Sequence, residues 1–198
     1  VAADSHAEID SLAFGIGVAV AISSSATAVS VAAIGALSFN DIDNVIEATI
    51  GDTNPSGNPT GVDADGTVSV TASDDSSIDA IAVAAAASIA GSGGGTSVGV
   101  SVGLALAHNR IDKDVTASIV DVSSVLTDGG DVVVTATDAA EIEVVSFAAA
   151  LAVAIGNTGV GVAGGASEST NIILTRTNAY IENSAIGSAA EKVGKVDI

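Results

Sequence analysis

Three long stretches of the chain alternate between large apolar residues and small ones. Residues 11–40 contain no charged side chain, and the same holds for residues 80–109 and 144–167. Within residues 14–22 and 98–106, Val, Ile, Leu or Phe takes every second position and Gly, Ala or Ser takes the positions between. A period of two puts the two kinds of residue on opposite faces of a β-strand, whereas a helix would mix them around its axis. The pattern therefore predicts long strands.

Stretches as long and apolar as these could also be segments that cross a membrane. Each is longer than the roughly 20 residues that a transmembrane helix needs, but the strict alternation and the Gly and Val content disfavour a helix. Strands that cross membranes alternate as well, yet they usually carry aromatic residues at both interfaces. This chain has three Phe, one Tyr and no Trp. We expect no transmembrane helix, and a membrane-associated β-protein stays open as an alternative.

The alternation also predicts which side of each strand is buried. We expect the large residues to face a common core and the small ones to face outward. A flat outer strip of small residues favours close lateral packing of neighbouring molecules, because such a strip is unlikely to face water without a partner. The strip predicted on the second long strand of the second unit consists of Ser97, Gly99, Ser101, Gly103 and Ala105.

The alternating stretches belong to a threefold repeat. Asn40, Asn109 and Asn171 each begin an Asn-x-Ile motif, which is followed at identical spacing by Ala-x-Ile-x-Asp or Ala-x-Ile-x-Asn. We predict a single repeat domain, residues 1–198, which consists of the units 1–69, 70–133 and 134–197. The first unit is longer mainly because of an insertion at residues 53–61, which holds both prolines. An insertion that leaves the flanking register intact indicates a loop on a repeating scaffold.

Each unit contains two long alternating strands and one short strand. In the first unit the long strands are predicted at residues 3–22 and 29–50, and the short strand at residues 67–70. A single unit cannot bury its apolar face, but stacked units bury a continuous core. We therefore predict an all-β fold, a wide, flattened parallel β-solenoid (β-helix) of three repeats of about 64–69 residues. The alternative is a stack of antiparallel hairpins closed at the Gly-rich turns.

Stacking in register places equivalent polar residues in columns. Asn40, Asn109 and Asn171 would form a structural ladder of amide hydrogen bonds, as stacked Asn residues do in cross-β arrays. Local turn capping is the alternative role for each Asn. Two acidic columns are predicted as well, and like charges at the roughly 4.8 Å layer spacing repel unless they splay into water or bind cations. The columns are Asp10, Asp79 and Glu143, and Asp52, Asp121 and Asn183.

Charge and composition exclude several classes of protein. The chain has 24 acidic residues against five basic ones, a net charge of −19, which argues against nucleic acid as a partner because phosphate binding needs a basic surface. The absence of Cys removes disulfides, zinc–thiolate sites and cysteine nucleophiles. With 48% hydrophobic residues and a mean hydropathy of +0.59, the chain has enough apolar surface to fold.

One loop has the spacing of a calcium site. Asp52, Asn54 and Ser56 offer oxygen ligands at alternate positions before Gly57, with Asp63 at the twelfth position and Asp65 after it. Hard oxygen donors without Cys or His suit Ca²⁺. The same residue types also build ordinary turns. Ca²⁺ is therefore the one cofactor predicted, with a plain turn as the alternative.

The repeat signature resembles that of a known family. Asn-x-Ile followed by Ala-x-Ile-x-Asp/Asn, after the Gly/Ala/Val alternation and before a strand such as residues 130–134, is similar to repeats of large bacterial filamentous adhesins of the filamentous-haemagglutinin and leukotoxin types. The resemblance implies a non-enzymatic structural module of a secreted, cell-surface adhesin or matrix fibre. It also implies self-association into fibres or continuation of a longer repeat array, with a cell-surface glycan or protein as receptor. We expect the 198 residues to be a segment of such an array.

A carbohydrate-active β-helix enzyme or a glycan-binding domain is the alternative function. It would need a cleft with acids, bases and aromatic residues, and this chain has few of the last two. The segment Gly99-Val100-Ser101-Val102-Gly103 matches the nucleophile motif of hydrolases. That Ser, however, lies inside an alternating strand and not at a strand-to-helix turn. We assign no catalytic residue.

Overall fold

The protein is an all-β chain of long parallel strands. The computed structural model describes residues 1–51 and 61–198. In the part described, every regular element is a strand, and the strands are named in chain order. They are β1 (Ala2–Ser5), β2 (Glu8–Ser23), β3 (Ala28–Gly51), β4 (Val62–Ala64), β5 (Val68–Asp74), β6 (Ser77–Ser92), β7 (Thr96–Val120), β8 (Val125–Thr127), β9 (Val132–Asp138), β10 (Glu141–Ile155), β11 (Thr158–Glu182) and β12 (Val196–Asp197).

Equivalent strands of successive units pair in parallel. The sheets have the orders β1-β5-β9-β12, β2-β6-β10, β3-β7-β11 and β4-β8. Ala2 pairs with Thr71, and Val70 pairs with Val134, so the register follows the sequence repeat. The parallel solenoid is thus confirmed, and the antiparallel hairpin stack is wrong, because β2 and β3 hydrogen-bond to the next unit and not to each other.

Each coil of the solenoid consists of outgoing strands, a tight turn and a long return strand. In the first coil β1 and β2 run outward, residues 24–27 turn the chain, and β3 returns on the opposite side. The predicted strand at residues 3–22 is interrupted at His6 and Ala7, which lie between β1 and β2. The predicted short strand also extends into the next unit, since β5 covers Val68–Asp74 without a break.

The outer part of each coil, here called the apolar slab, comprises residues 11–39, 80–108 and 144–167. In the slab the predicted sidedness is wrong: the small residues face inward and the large ones face outward. Ala82 and Ala84 are fully buried, whereas Val18 is 65% exposed and Ile22 82% exposed. The predicted outer strip that begins at Ser97 and ends at Ala105 is buried inside the slab, so it cannot pack neighbouring molecules laterally.

The small residues face inward because the two sheets of the slab approach too closely for larger ones. A Cβ at Gly15 would lie 2.8 Å from the carbonyl oxygen of Gly35, and a Cβ at Gly103 would lie 2.7 Å from that of Ala149. Ordinary stacked sheets are about 10 Å apart and are filled by large side chains. Here the interior holds mainly Ala, Gly and Ser, with Ala36, Ala82 and Ala105 among its core and partly buried Ile34 and Val144 packed against them.

The rest of the described chain, here called the polar body, is packed conventionally. Its core contains large aliphatic side chains that are fully buried. Val115 and Ile119 pack in one cluster with Val70 and Val134 of the short strands, and Ile111 packs in a second cluster with Ile78. The outward positions of the same strands carry most of the charged residues.

Two of the long return strands are each followed by a residue with a left-handed backbone conformation. Asp121 has φ 58° and Asn183 has φ 48°. Asp and Asn adopt this conformation more readily than most other residues with a side chain. The second predicted acidic column therefore contains turn residues at these two positions, and Asp52 lies outside the described residues.

Candidate functional site

An amide ladder crosses the three coils where the slab meets the polar body. Asn40 Nδ2 donates to Asn109 Oδ1 at 2.6 Å, and Asn109 Nδ2 donates to Asn171 Oδ1 at 2.9 Å. The three residues are Cα partners in the parallel register, which is why their side chains meet. Asn109, in the middle coil, is fully buried. A buried amide that lost its partner would carry the full cost of desolvation, so the ladder disfavours other registers.

The ladder is directional and is extended by hydroxyl groups. Each amide donates toward the later unit, so Asn171 Nδ2 is the next donor in the series and Asn40 Oδ1 is the next acceptor. Ser38 Oγ accepts a second bond from Asn40 Nδ2 at 3.0 Å and lies 2.7 Å from Ser11 Oγ across the coil. These groups form a polar layer between the slab and the body.

The two ends of the stack are open sheet edges. At one end β2 and β3 have a partner on one side only, and at the other end β10 and β11 do. These edge strands are 15 to 25 residues long. Unpaired backbone groups on a long edge are a template for pairing with another chain. Because all coils run in the same direction, one end is complementary to the other.

A buried ionic cluster lies inside the polar body. Lys113 Nζ contacts Asp74 Oδ1 and lies 2.5 Å from Asp138 Oδ1, and the side chains of Lys113 and Asp74 are fully buried. Burial raises the pKa of Asp74, but hydrogen bonds from Lys113 and Ser76 outweigh it and lower the pKa to about 2. One ammonium between two carboxylates leaves the cluster with excess negative charge. Breaking such a cluster is costly, because it leaves a buried charge without compensation.

The cluster was missed at the level of sequence, although a signal was present. Lys113 lies four residues after Asn109 and two after Ile111, which places it on the inward face of β7. A basic residue at an inward position is rare unless it is paired. In a chain with five Lys and Arg residues, that position by itself would have indicated a buried acidic partner.

The predicted acidic column is exposed. Asp10, Asp79 and Glu143 are Cα partners, and carboxylate oxygens of Glu8, Asp10 and Asp79 lie within 4.8 Å of one another. Elsewhere on the surface, Arg110 pairs with Asp41 at 3.4 Å and Arg176 pairs with Asp114 at 2.7 Å. These pairs join adjacent coils, and exposed pairs of this kind contribute little to stability.

The predicted calcium loop is only partly described. Asp52, Asn54 and Ser56 lie outside the described residues. Asp63 lies on β4 and Asp65 directly follows it, and both are exposed. Calcium binding stays a prediction.

Large apolar side chains cover both outer faces of the slab. One face presents β2, β6 and β10, with columns such as Leu12, Ile81 and Val145. The other face presents β3, β7 and β11, with columns such as Val31, Val100 and Val162. The alternation of these residues was predicted from the sequence, but the prediction that they form the core is wrong.

The hydrolase-like segment is part of this slab. Ser101 lies in the middle of β7, and its side chain is buried between the two sheets. Its hydroxyl therefore does not face solvent. Within residues 1–51 and 61–198, no helix has the length and apolar character needed to cross a membrane.

Comparisons with known proteins leave the structural features as the basis for function. No protein-family model, curated protein or solved structure matches this chain.

Proposed function

We propose that the chain is a structural repeat module that continues end to end into a longer parallel β-solenoid. The observation that carries the proposal is the pair of complementary open edges, β2 and β3 at one end and β10 and β11 at the other. A contact between different surfaces of identical molecules produces an open filament when it does not close into a ring. Copies stacked in this way pair every long edge strand.

The amide ladder supports the same direction of growth. Asn171 of one copy would donate to Asn40 of the next, as Asn109 already does to Asn171. The ladder would then run without interruption through the junction. End-to-end stacking also fits the chain's net charge of −19, since the acidic side chains on the outward positions of the body keep the shaft solvated.

We further propose, from the resemblance of the repeat signature to that of bacterial filamentous adhesins, that this module belongs to a secreted surface protein or matrix fibre. In that setting the solenoid acts as a shaft that carries or contacts a glycan or protein receptor. Self-association and continuation within one longer chain use the same edge contacts, so one experiment on the edges addresses both.

The edge contact is tested by filament formation of the purified chain. We expect electron microscopy at rising protein concentration to show unbranched filaments, and fibre diffraction to show the roughly 4.8 Å spacing of stacked strands along the axis. The substitution Asn171→Asp removes the donor and opposes a carboxylate to Asn40 Oδ1. It should raise the concentration needed for filaments at least tenfold.

The matched control is Asn157→Asp. It makes the same chemical change in the same coil, but at an exposed turn residue whose equivalents in the other two coils, residues 24–27 and 93–95, are uncharged. The control should form filaments at a concentration within about twofold of the wild type. A wild-type chain that stays monomeric at all concentrations would contradict self-association, and equal behaviour of the two variants would exclude the ladder from the junction.

A further inference from the structure

The outer faces of the apolar slab are too apolar and too regular to be explained by the core. Leu12, Phe14, Ile16, Val18, Val20 and Ile22 of β2 all point outward and are 58% to 82% exposed. Their register partners in the next two coils are all uncharged: most are large and apolar, and the smaller ones are Ala85, Ala87 and Gly91 in the middle coil and Ala149 in the third. The largest contiguous apolar patch on a typical soluble monomer measures about 300–600 Å² and is often functional, and here there are two such faces. Faces of this kind call for an apolar partner.

The length of the apolar band matches the hydrocarbon thickness of a lipid bilayer. On one face the band runs from Leu12 to Ile22, a span of ten residue-to-residue steps, or about 33 Å at about 3.3 Å per step. The opposite face spans the same levels, because Gly15 faces Gly35 across the slab and the return strand covers residues 28–38 there. The hydrocarbon core of a bilayer is about 30 Å thick.

Charged residues begin at nearly the same level on both faces of the first two coils. Asp10 comes one outward position before Leu12 on β2, and Asp41 comes one outward position after Phe39 on β3. Inside the coil, the amide ladder at Asn40 lies at this level. The border between the apolar slab and the charged body is therefore level in the first two coils. In the third coil charge begins earlier on the return strand, at exposed Glu168, which is in register with Leu106 and Leu37 at the rim of the band.

The turn at the far end of the slab is uncharged and hydrogen-bonded within itself. Ser23 Oγ accepts a bond from Ala26 N at 3.0 Å, Ser92 Oγ donates to Ala26 O at 2.7 Å, and Ser97 Oγ donates to Ile155 O at 2.7 Å. Backbone groups without partners are what prevents irregular segments from entering hydrocarbon. This turn has fewer such groups to bury than an ordinary polar loop.

A second copy of the chain fits the faces less well than lipid does. One face of three coils measures about 33 Å by roughly 14 Å, or about 460 Å² in projection, whereas a standard protein interface buries about 800 Å² per partner. A two-fold dimer would also cover only one of the two faces and leave the other exposed. Hydrocarbon covers both faces at once and requires no complementary shape.

We propose that the apolar slab inserts edge-on into a lipid bilayer, with its strands along the membrane normal, its charged border at one surface and its uncharged turn at the other. The proposal rests on the proposed function, because the open edges β2, β3, β10 and β11 would have unpaired backbone groups in hydrocarbon unless further coils cover them. The polar body remains in water on the side of the charged border.

Vesicle binding tests the proposal. The wild-type chain should float with vesicles of phosphatidylcholine, whose lack of net charge removes any electrostatic attraction. The double variant Val18→Asp/Val20→Asp puts two carboxylates into the band and should reduce the bound fraction at least tenfold. The matched control, Val45→Asp/Leu174→Asp, makes the same change at exposed outward positions of the body and should change it less than twofold.

Single cysteines test the orientation, because the chain has no Cys of its own. A fluorophore on Val18→Cys should be quenched by spin labels deep in the acyl chains, and one on Asp10→Cys by aqueous iodide. Ser24→Cys, in the turn, should react with a membrane-impermeant thiol reagent only after the vesicles are opened. Equal reactivity of Ser24→Cys in intact and opened vesicles would overturn the spanning arrangement.

Other outcomes separate this inference from the proposed function. Filaments that form in lipid-free buffer but do not bind vesicles would overturn the membrane proposal and leave end-to-end stacking intact. If the Val18→Asp/Val20→Asp variant abolishes lateral bundling of such filaments, the faces belong to a second copy and the membrane proposal is wrong. A chain that forms no filaments with or without vesicles contradicts the proposed function itself.

Discussion

The slab and the polar body are built from the same three coils but solve the packing problem in opposite ways. In the body, large aliphatic residues such as Ile111 fill the interior and charged residues face outward. In the slab, Ala and Gly fill the interior, and Val, Ile, Leu and Phe face outward. The continuous strands β3, β7 and β11 pass from one region into the other at the amide ladder.

The difference shows that strand periodicity and strand sidedness are separate properties. A period of two establishes that two faces differ, but the distance between the sheets decides which face is inside. Where the backbones approach to within contact of a single Cβ, only the small face fits. Where they are farther apart, the large face is buried and contributes roughly 1.5–3 kcal/mol per side chain.

The largest expected effect is on the ionic cluster of the body. Lys113→Met leaves two buried carboxylates without their cation and should lower the free energy of unfolding by about 3–5 kcal/mol. Lys192→Met makes the same change at an exposed position and should cost less than about 0.5 kcal/mol. Urea denaturation followed by circular dichroism measures both, and equal stabilities would show that the cluster does not support the fold.

The interior of the body and the outer face of the slab should respond differently to loss of side-chain volume. Ile111→Ala removes a fully buried side chain and should cost about 2–5 kcal/mol. Leu37→Ala removes a similar volume from a side chain that is 57% exposed, so in water it should cost less than about 0.5 kcal/mol. A large loss of stability for Leu37→Ala in thermal unfolding would place that face in the core after all.

Added volume should be the specific weakness of the slab. Gly103→Val brings a Cβ to 2.7 Å from the Ala149 carbonyl oxygen, and such overpacking should cost about 1–3 kcal/mol. Gly164→Val is the matched control, because its register partner is Val102 and a Cβ there has no heavy atom within 4 Å. If both variants unfold at the same denaturant concentration, the sheets of the slab are not in close contact.

Acid should act on the body and leave the slab unaffected, since the slab has no carboxylate. The pKa of Asp74 is about 2 in the folded chain against an ordinary value of 3.8, so the stabilisation is complete above pH 3.8 and is lost as the pH falls through about 2. A shift of this size corresponds to about 2 kcal/mol. Asp74→Asn should flatten the dependence of unfolding free energy on pH over this range, and an unchanged slope would contradict the assignment.

Much of the fold could be predicted from the repeats, because identical spacing after Asn40, Asn109 and Asn171 determines the register of the parallel sheets. The sidedness of the slab could not be predicted, since the distance between two sheets is a property of their packing and not of either strand. The ionic cluster could have been anticipated from the inward position of Lys113. Its partners Asp74 and Asp138 lie on other strands, and only the path of the coil brings them together.

The three coils carry different residue pairs at the level of the ionic cluster, and this difference has a consequence for folding. The positions that face each other inside the body are Ser5 and Asn44 in the first coil, Asp74 and Lys113 in the second, and Asp138 and Thr175 in the third. Near-identical coils invite errors in which one half of a coil closes on the wrong neighbour. With one cation among these positions, closing Asp74 on Asn44 would leave a carboxylate stranded in the core. Lys113 therefore identifies the middle coil during assembly and disfavours chains that are displaced by one turn.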